Sequence, residues 1–476
     1  MSIRDKIGKS MTNYLYPYMQ GYADERGGNM PKKALEFEEY GLQERYLWFK
    51  GNEDLLAGFY HSRQPKYSLI DTRKSFYYAN VNSKIRVVHS GMPSLISYGK
   101  TDLLLSAGME QNVVNNEDID KTQTELLNDI LTDNAWDKLI SDAVTTESWA
   151  GGFAFKIGVD LEITKYPIVE MYNPMDYEAI YKRGRLQEII FKNCIKEDYE
   201  LHEHYGWGYI KYELFMMSMG KLVPVALDDI EETQDLEDVV FSDNMMLAAI
   251  KEVGKSDYSG IIAEFDSLDE AWSQLMDEIR TGRAETYIPE DLCKNKVFDD
   301  FTKKYVEIGM DMREGIDNKI QHNQPNIRSD EYVNTINTIT MNILANVKLN
   351  PLTIGMDDNV GANSSGSAIE KRETVSLRTR SNMIKAYEPF LERFFNLLLN
   401  ANNWINSQNY EPYNVVVTFG TYITPSIESK IDNIVKLKNA DIIDDEKALD
   451  EVYEDMSDEE KERILANLGN ITLDME

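Results

Sequence analysis

The chain has 476 residues, 42% hydrophobic and 28% charged, enough apolar content to bury a large core spread over several subdomains. A formal net charge of −32 argues against any protein that grips nucleic acid by neutralising phosphates, so a duplex wrapper or repressor is set aside. Cys194 and Cys293 are the only cysteines and stand far apart, offering neither a disulfide framework nor a CxxC metal site. No run of about 18 apolar residues suggests a membrane span, and the opening MSIRDKIGKSMTNYLYPYMQGY does not read as a signal peptide.

Taken in chain order, ALEFEEYGLQERYLWFKG (Ala34 to Gly51) reads as a helix and SKIRVVHSG (Ser83 to Gly91) as a strand. Leu126, Leu127, Ile130, Leu131, Trp136, Leu139, Ile140 and Val144 recur at three- and four-residue steps. They predict amphipathic helix between Asp118 and Trp149, stopped by Gly151 and Gly152. From Phe153 to Cys194, short β-branched and aromatic runs broken by Asn173-Pro174 and by Lys182-Arg183-Gly184-Arg185 predict antiparallel strands.

Ile261, Phe265, Leu268, Trp272, Leu275, Met276 and Ile279 form one apolar stripe of a further helix, with Gly282 as its C-cap. Asp266, Glu270, Gln274 and Asp277 occupy the other face, where like charges four apart cost a few tenths of a kcal/mol, ~0.3. The simplest reading of that face is solvation. A second helix starts at Ser329 as N-cap, with Asp330 and Glu331 suiting its N-terminus and Tyr332, Ile336, Ile339, Ile343 and Val347 as its stripe. Asn350-Pro351 ends it, and the two helices are expected to pair antiparallel. Between them lies a mixed insert carrying Lys294, Lys296, Lys303, Lys304, Arg313 and Lys319.

Pro351 to Ser367 is a Gly/Ser/Asn-rich loop, too polar for a core element. Gly361 and Gly366 have P-loop spacing, but Ser367 and Ala368 stand where that motif needs Lys and Ser or Thr, so nucleotide binding is rejected. Ala368 to Asn402 is expected as one long helix kinked at Pro389. Its first half carries Lys371, Arg372, Arg378, Arg380 and Lys385 as a basic island, which suits either a salt-bridged surface between subunits, the preferred reading, or a ring facing nucleic acid. VVVTFG (Val415 to Gly420) predicts a strand. Asp441 to Glu476 holds 14 acidic and 3 basic residues, a third of the net charge.

The sequence offers no catalytic constellation. His202-Glu203-His204 is not the HExxH spacing that sets two imidazoles on one helical face, and there is no GxSxG elbow or Walker sequence. Neither a cofactor nor a metal is expected. An acidic hydrolase or nuclease with an unrecognised site, and a monomeric head-assembly scaffold, remain as rival readings.

The order helix, insert, helix, Gly-rich loop, long helix resembles the tailed-bacteriophage portal proteins, as does the passage GGFAFKIGVD to YPIVEMYNPMDYEAIYKRGRLQEIIF. The resemblance implies an α+β subunit: a helical wing with a small β-sheet (1–255), two antiparallel stem helices (256–283 and 329–349), and a small α/β clip (284–328). A tunnel loop (350–367), a long tunnel helix with a strand returning to the wing (368–422), and a helical crown (423–476) complete it. It implies a virion component made in the host cytoplasm: a homo-oligomeric ring of about twelve copies at one capsid vertex, through which double-stranded DNA is packaged and ejected. Its implied partners are the terminase large subunit, the major capsid or scaffold protein and a head-completion adaptor, with no membrane. In that scheme Met356, Asp357, Asp358, Asn359 and Val360 face DNA from the tunnel loop. Asp266, Glu270 and Asp277 form an acidic stem face, Lys371, Arg372, Arg378 and Arg380 pair with a neighbouring subunit, and Lys294, Lys296, Lys303 and Lys304 meet partners at the clip.

Overall fold

The structure is a computed structural model and describes residues 32–62, 75–80, 85–115, 118–241, 245–251, 255–282, 285–289, 304–308, 321–323, 326–356, 366–421 and 434. The crown expected at 423–476 therefore lies outside the described residues, apart from Ile434.

Among the described residues, four helices come first: α1 (Lys32–Lys50), α2 (Glu53–Ser62), the single turn α3 (Phe76–Ala79) and α4 (Met92–Leu105). Ser75 caps α3 by accepting from the Tyr77 amide, and Pro93 sits in the first turn of α4, where its missing N–H costs nothing. The strand expected at Ser83 to Gly91 does not form. Residues 85–90 join no sheet, and the amides of Val88 and Ser90 bond the side chains of Ser273 and Asp269 at 2.9 and 2.8 Å. The β-branched pattern predicted a sheet partner, and the partner of the described residues is a helix.

After β1 (Met109–Asn115) and β2 (Asp118–Ile119), the expected helical stretch divides into α5 (Lys121–Asp133) and α6 (Trp136–Ala150). Ala135 breaks it at φ 49°, and the Asn134 side chain bonds Pro167 O and the Val169 amide at 2.9 and 2.7 Å, tying the break to the next sheet. Gly151, at φ 96°, ends α6. The strands β3 (Phe153–Gly158), β4 (Ile168–Tyr172), β5 (Tyr177–Lys182), β6 (Arg185–Lys196), β7 (Tyr199–Gly206), β8 (Tyr209–Ser218), β9 (Lys221–Val225), β10 (Val239–Val240) and β11 (Ala248–Lys251) follow. They form a three-stranded sheet ordered β11-β3-β4 and a six-stranded sheet ordered β10-β8-β7-β6-β5 with β9 also on β8, every pair antiparallel.

Next comes α7 (Ile262–Thr281). The insert then contributes β12 (Glu285–Pro289), β13 (Lys304–Ile308) and β14 (Gln321–Asn323), with β12 in the middle, parallel to β13 and antiparallel to β14. Helix α8 (Ser329–Val347) starts one residue earlier than a Ser329 cap would allow, since Arg328 holds the cap position and makes no side-chain cap bond. It ends at Lys348, φ 57°. Helix α9 (Gly366–Ile405) runs through Pro389, giving up one ladder bond there while Tyr387, Phe390, Leu391 and Phe394 are buried on either side. Finally β15 (Val415–Phe419) pairs antiparallel with β1, giving the order β15-β1-β2.

Two apolar clusters hold these elements. In the first, α5, α6 and the second half of α9 close over the β11-β3-β4 sheet through Trp136, Phe153, Phe155, Phe390, Phe394 and Phe395. The Trp136 and Phe394 rings are stacked at 5.6 Å, and Phe155 lies 4.8 Å from Phe394. In the second, α1, α2, α3 and α4 pack on α7 and α8 through Trp48, Tyr60, Tyr77, Tyr258, Phe265 and Ile343. Neighbouring residues on α4, Leu103 and Leu104, enter different clusters, so that helix bridges the two.

Candidate functional site

The acidic face expected on α7 divides in the structure. Asp266 is 6% exposed and accepts from Ser75 Oγ and the Phe76 amide, both at 2.8 Å. One turn on, the fully buried Asp269 accepts from Tyr77 Oη at 2.7 Å and the Ser90 amide at 2.8 Å, and lies 2.7 Å from His89 Nδ1. Helix α7 thus clasps residues 75–77 and 89–90 with carboxylates, and Asp266 is corrected from a solvated stem residue to a core clasp. Its partners lie about 190 residues upstream in sequence, so helical periodicity alone could not reveal them. Burial pushes the Asp266 carboxyl up to about 6 against the pull of the Phe76 and Ser75 bonds, with Asp269 and Glu270 adding to the rise. Burial and the Asp269 carboxylate likewise push the Tyr77 phenol far up. Gly51 makes room for this arrangement: at φ 62°, a Cβ there would stand 2.6 Å from His89 Cδ2. Glu270 and Asp277 do remain partly exposed, with Glu270 accepting from Gln274 Nε2 at 2.8 Å.

The far end of α7 meets the start of α8. Arg328 bonds Glu278 through its amide and guanidinium at 3.1 to 3.3 Å, and a Cβ on Gly282 would meet Ile327 Cγ1 at 3.0 Å. Because these sequential ends are adjacent and the helices pack together, α7 and α8 run antiparallel. Three stripe residues of α7, however, are uncovered: Trp272, Met276 and Ile279 are 36%, 44% and 41% exposed. On α8 no residue from Tyr332 to Val347 is charged, yet Val333, Asn334, Thr335, Asn337, Thr338, Met341, Asn342 and Asn346 are all exposed. In a chain that is 28% charged, an uncharged exposed face is atypical of solvated helix. The sequence signal for it was the missing charge, which the stripe reading passed over.

The approach to the Gly-rich loop is clamped. Asn350 caps a one-turn helix over Pro351–Ile354, its amide bonds Ser376 Oγ at 2.8 Å, and Thr353 Oγ1 lies 2.7 Å from the same hydroxyl. Thr379 Oγ1 donates to Lys348 O at 2.9 Å. Gly99 of α4 lets Ile354 approach, since a Cβ there would stand 2.7 Å from Ile354 Cγ2. Met356 leaves this clamp exposed, while Asp357, Asp358, Asn359 and Val360 lie outside the described residues.

Of the basic island, Arg380 points inward. It is buried and donates from Nε to Leu103 O at 2.8 Å and from Nη2 to Gly420 O at 2.7 Å, joining α9 to the ends of α4 and β15. Its expected pairing with a neighbouring subunit is corrected accordingly: sequence showed the charge but not the two carbonyls that the fold turns towards it. Arg378 is exposed; the side chains of Lys371 and Arg372 lie outside the described residues. In the insert, Lys304 opens β13 in register with Glu285 of β12, and Lys294, Lys296 and Lys303 lie outside the described residues.

The two adjacent histidines of the six-stranded sheet are engaged separately. His202 Nε2 lies 2.7 Å from Glu200 and His204 Nδ1 lies 3.1 Å from Glu188, which together with Glu213 outweighs burial and raises the His204 pKa. Among the described residues, no group of three or more His, Cys, Asp or Glu could hold a metal ion, and no helix is long and apolar enough to cross a membrane.

A sequence profile of the family described as phage portal protein, SPP1 Gp6-like, matches residues 61–471. No curated protein matches the chain. Among solved structures, the neck of an empty GTA particle, computed with C6 symmetry, aligns with a TM-score of 0.42 at 10% identity, covering 79% of this chain and 97% of that one.

Proposed function

Because the chain belongs to the SPP1 Gp6-like family of phage portal proteins, we propose that its copies close into a dodecameric ring at one capsid vertex, the conduit for DNA packaging and ejection. The observation that carries this reading beyond family membership is the pair of uncovered faces on α7 and α8. Trp272, Met276 and Ile279 continue a stripe that is buried nearer the helix start, and the adjoining α8 face lacks charge, as expected of surfaces that meet other copies in an assembly.

In this reading α7 and α8 are the stem, β12 to β14 belong to the clip that receives the terminase large subunit and later the head-completion protein, and Lys294, Lys296, Lys303 and Lys304 supply its charge. The loop after Met356 projects towards the DNA. The residues that lead into it are fixed by the Ser376 and Gly99 contacts. Glu270 and Asp277 are the stem acids left to repel phosphate, while Arg378, Lys371 and Arg372 remain to pair with a neighbour. The capsid or scaffold protein would contact the wing. The family is structural, and the chain acts by shape and assembly rather than catalysis.

Mass measurement on the purified chain tests the ring directly. Twelve copies of 54.9 kDa come to about 0.66 MDa. A species of that order with a central opening in negative stain is expected, and a monomer at all concentrations and salts overturns the reading.

A further inference from the structure

Among the described residues, one groove and one exposed tip in the wing are each without a counterpart. The groove, about 660 Å³, runs between β11, the β7–β8 turn and α9. Met246, Phe394 and Leu397 line it, Trp207 and Tyr410 stand exposed along it, and Arg393 adds an exposed cation whose Nε donates to Pro389 O. The tip is the loop between β3 and β4, Asp160-Leu161-Glu162-Ile163, in which Leu161 and Ile163 are 66% and 74% exposed. This exposure is built in. The amides of Ile163 and Thr164 donate to Asp160 O at 3.2 and 3.1 Å, the Glu162 amide donates to Asp160 Oδ1 at 2.9 Å, and Thr164 Oγ1 donates to Asp133 Oδ2 at 2.8 Å. The turn is therefore anchored on α5 with two aliphatic side chains held outward.

We infer that the Leu161–Ile163 tip of one copy seats in the groove of the next, with Glu162 meeting Arg393. This deepens the ring reading and rests on it. Three features of the chain support it. The tip alternates acid with aliphatic, and the groove offers apolar walls with an exposed cation, so shape and charge are complementary. The two patches also belong to opposite edges of one sheet: β11, which lines the groove, is one edge of β11-β3-β4, and β4, which follows the tip, is the other. Finally, the two patches are different surfaces of the same molecule. A contact between them is head-to-tail, the kind that propagates from copy to copy and closes into a ring rather than stopping at a two-fold dimer.

The test uses the full chain, with sedimentation or mass photometry as readout and circular dichroism of the dissociated protein as a check on folding. The double variant L161E/I163E removes the tip and R393E reverses the groove charge, and neither alters a buried side chain. Both are expected to raise the concentration needed for ring assembly at least tenfold with unchanged dichroism. Adding Glu162→Lys to R393E should restore most of the loss, a recovery that general damage to the wing would not give. Rings of unchanged stability in both variants overturn the tip-in-groove contact while leaving the ring reading intact. Loss of rings in R393E with no recovery in the charge-swapped pair also overturns the Glu162–Arg393 contact. Absence of rings in the unaltered protein is the separate failure of the ring reading itself.

Discussion

Replacing Asp266 with Asn should change the pH dependence of stability in a direction opposite to that of an ordinary salt-bridged carboxylate. Asp266 is 6% exposed and its carboxyl is pushed up to about 6 by burial. In the unfolded chain it titrates near ~3.9. Between these values the folded state binds the extra proton, so stability falls as pH rises through the window and stays lower above it. A difference of roughly two pK units corresponds to about 3 kcal/mol. Asn is neutral throughout and can keep both contacts, its Oδ1 accepting from the Phe76 amide and its Nδ2 donating to Ser75 Oγ. The assay is urea unfolding followed by tryptophan fluorescence at pH 4.5 and 7.5 for both proteins, the common titrations cancelling in the difference. D266N should gain on the natural chain by about 2 kcal/mol between those pH values, since pH 4.5 lies above the unfolded pKa and samples only part of the full difference. Alanine, which leaves the Phe76 amide without an acceptor, should cost about 1–3 kcal/mol at pH 4.5, and less at pH 7.5 because it too is spared the buried charge. A D266N-minus-natural difference that does not change with pH would refute the account of Asp266 as a desolvated acid.

Arg380→Met should lose two charge-assisted bonds to the carbonyls of Leu103 and Gly420 and cost about 3–6 kcal/mol, read from the unfolding midpoint of dissociated protein; a cost below about 1 kcal/mol would return this residue to the surface. Trp272→Glu combined with Met276→Glu should leave the dissociated chain folded, since both side chains are exposed, while abolishing ring assembly; full assembly of this variant would mean that the stripe faces solvent. Deleting Asp357 to Ala362 should leave ring yield near normal and sharply reduce DNA-filled heads in the same infected cells. Filled heads at the normal level would show that the loop does not act on DNA.

Most of the helices and the antiparallel strands were legible because their cues are local. Gly151 stops α6, Asn350-Pro351 follows the end of α8, and the runs after Phe153 alternate at strand period. The misreadings share a cause, which is a side chain whose partner is remote in sequence. Asp266 lies on α7 where a wheel diagram places solvent, yet Ser75 and Phe76 cover it. Arg380 belongs to a run of surface-like charge, yet α4 and β15 bring carbonyls to it. Trp272, Met276 and Ile279 show the converse: they obey the helical period and are exposed, although Ser273 and Leu275 beside them are buried. Periodicity reports which residues share a face and is silent on whether that face is covered.

This redistribution of charge changes how an acidic conduit would keep DNA sliding. If Asp266, Glu270 and Asp277 all faced the channel, the stem of a twelve-membered ring would carry three rings of carboxylates along α7. With Asp266 inside the fold, a stem built from these helices would keep two of those three, Glu270 and Asp277, each partly exposed, beside an α8 that is uncharged from Tyr332 to Val347. A third of the net charge of −32 falls instead within 441–476. A duplex passing the stem would then meet mainly amides, hydroxyls and small apolar groups, which neither hold nor strongly repel phosphate, and low friction would come from the scarcity of cations more than from a negative wall. Low friction of this kind depends little on ionic strength, because no counterions are released on contact. Introducing a single lysine on the exposed α8 face, at Asn337 or Asn342, should therefore slow packaging more at low salt than at high salt.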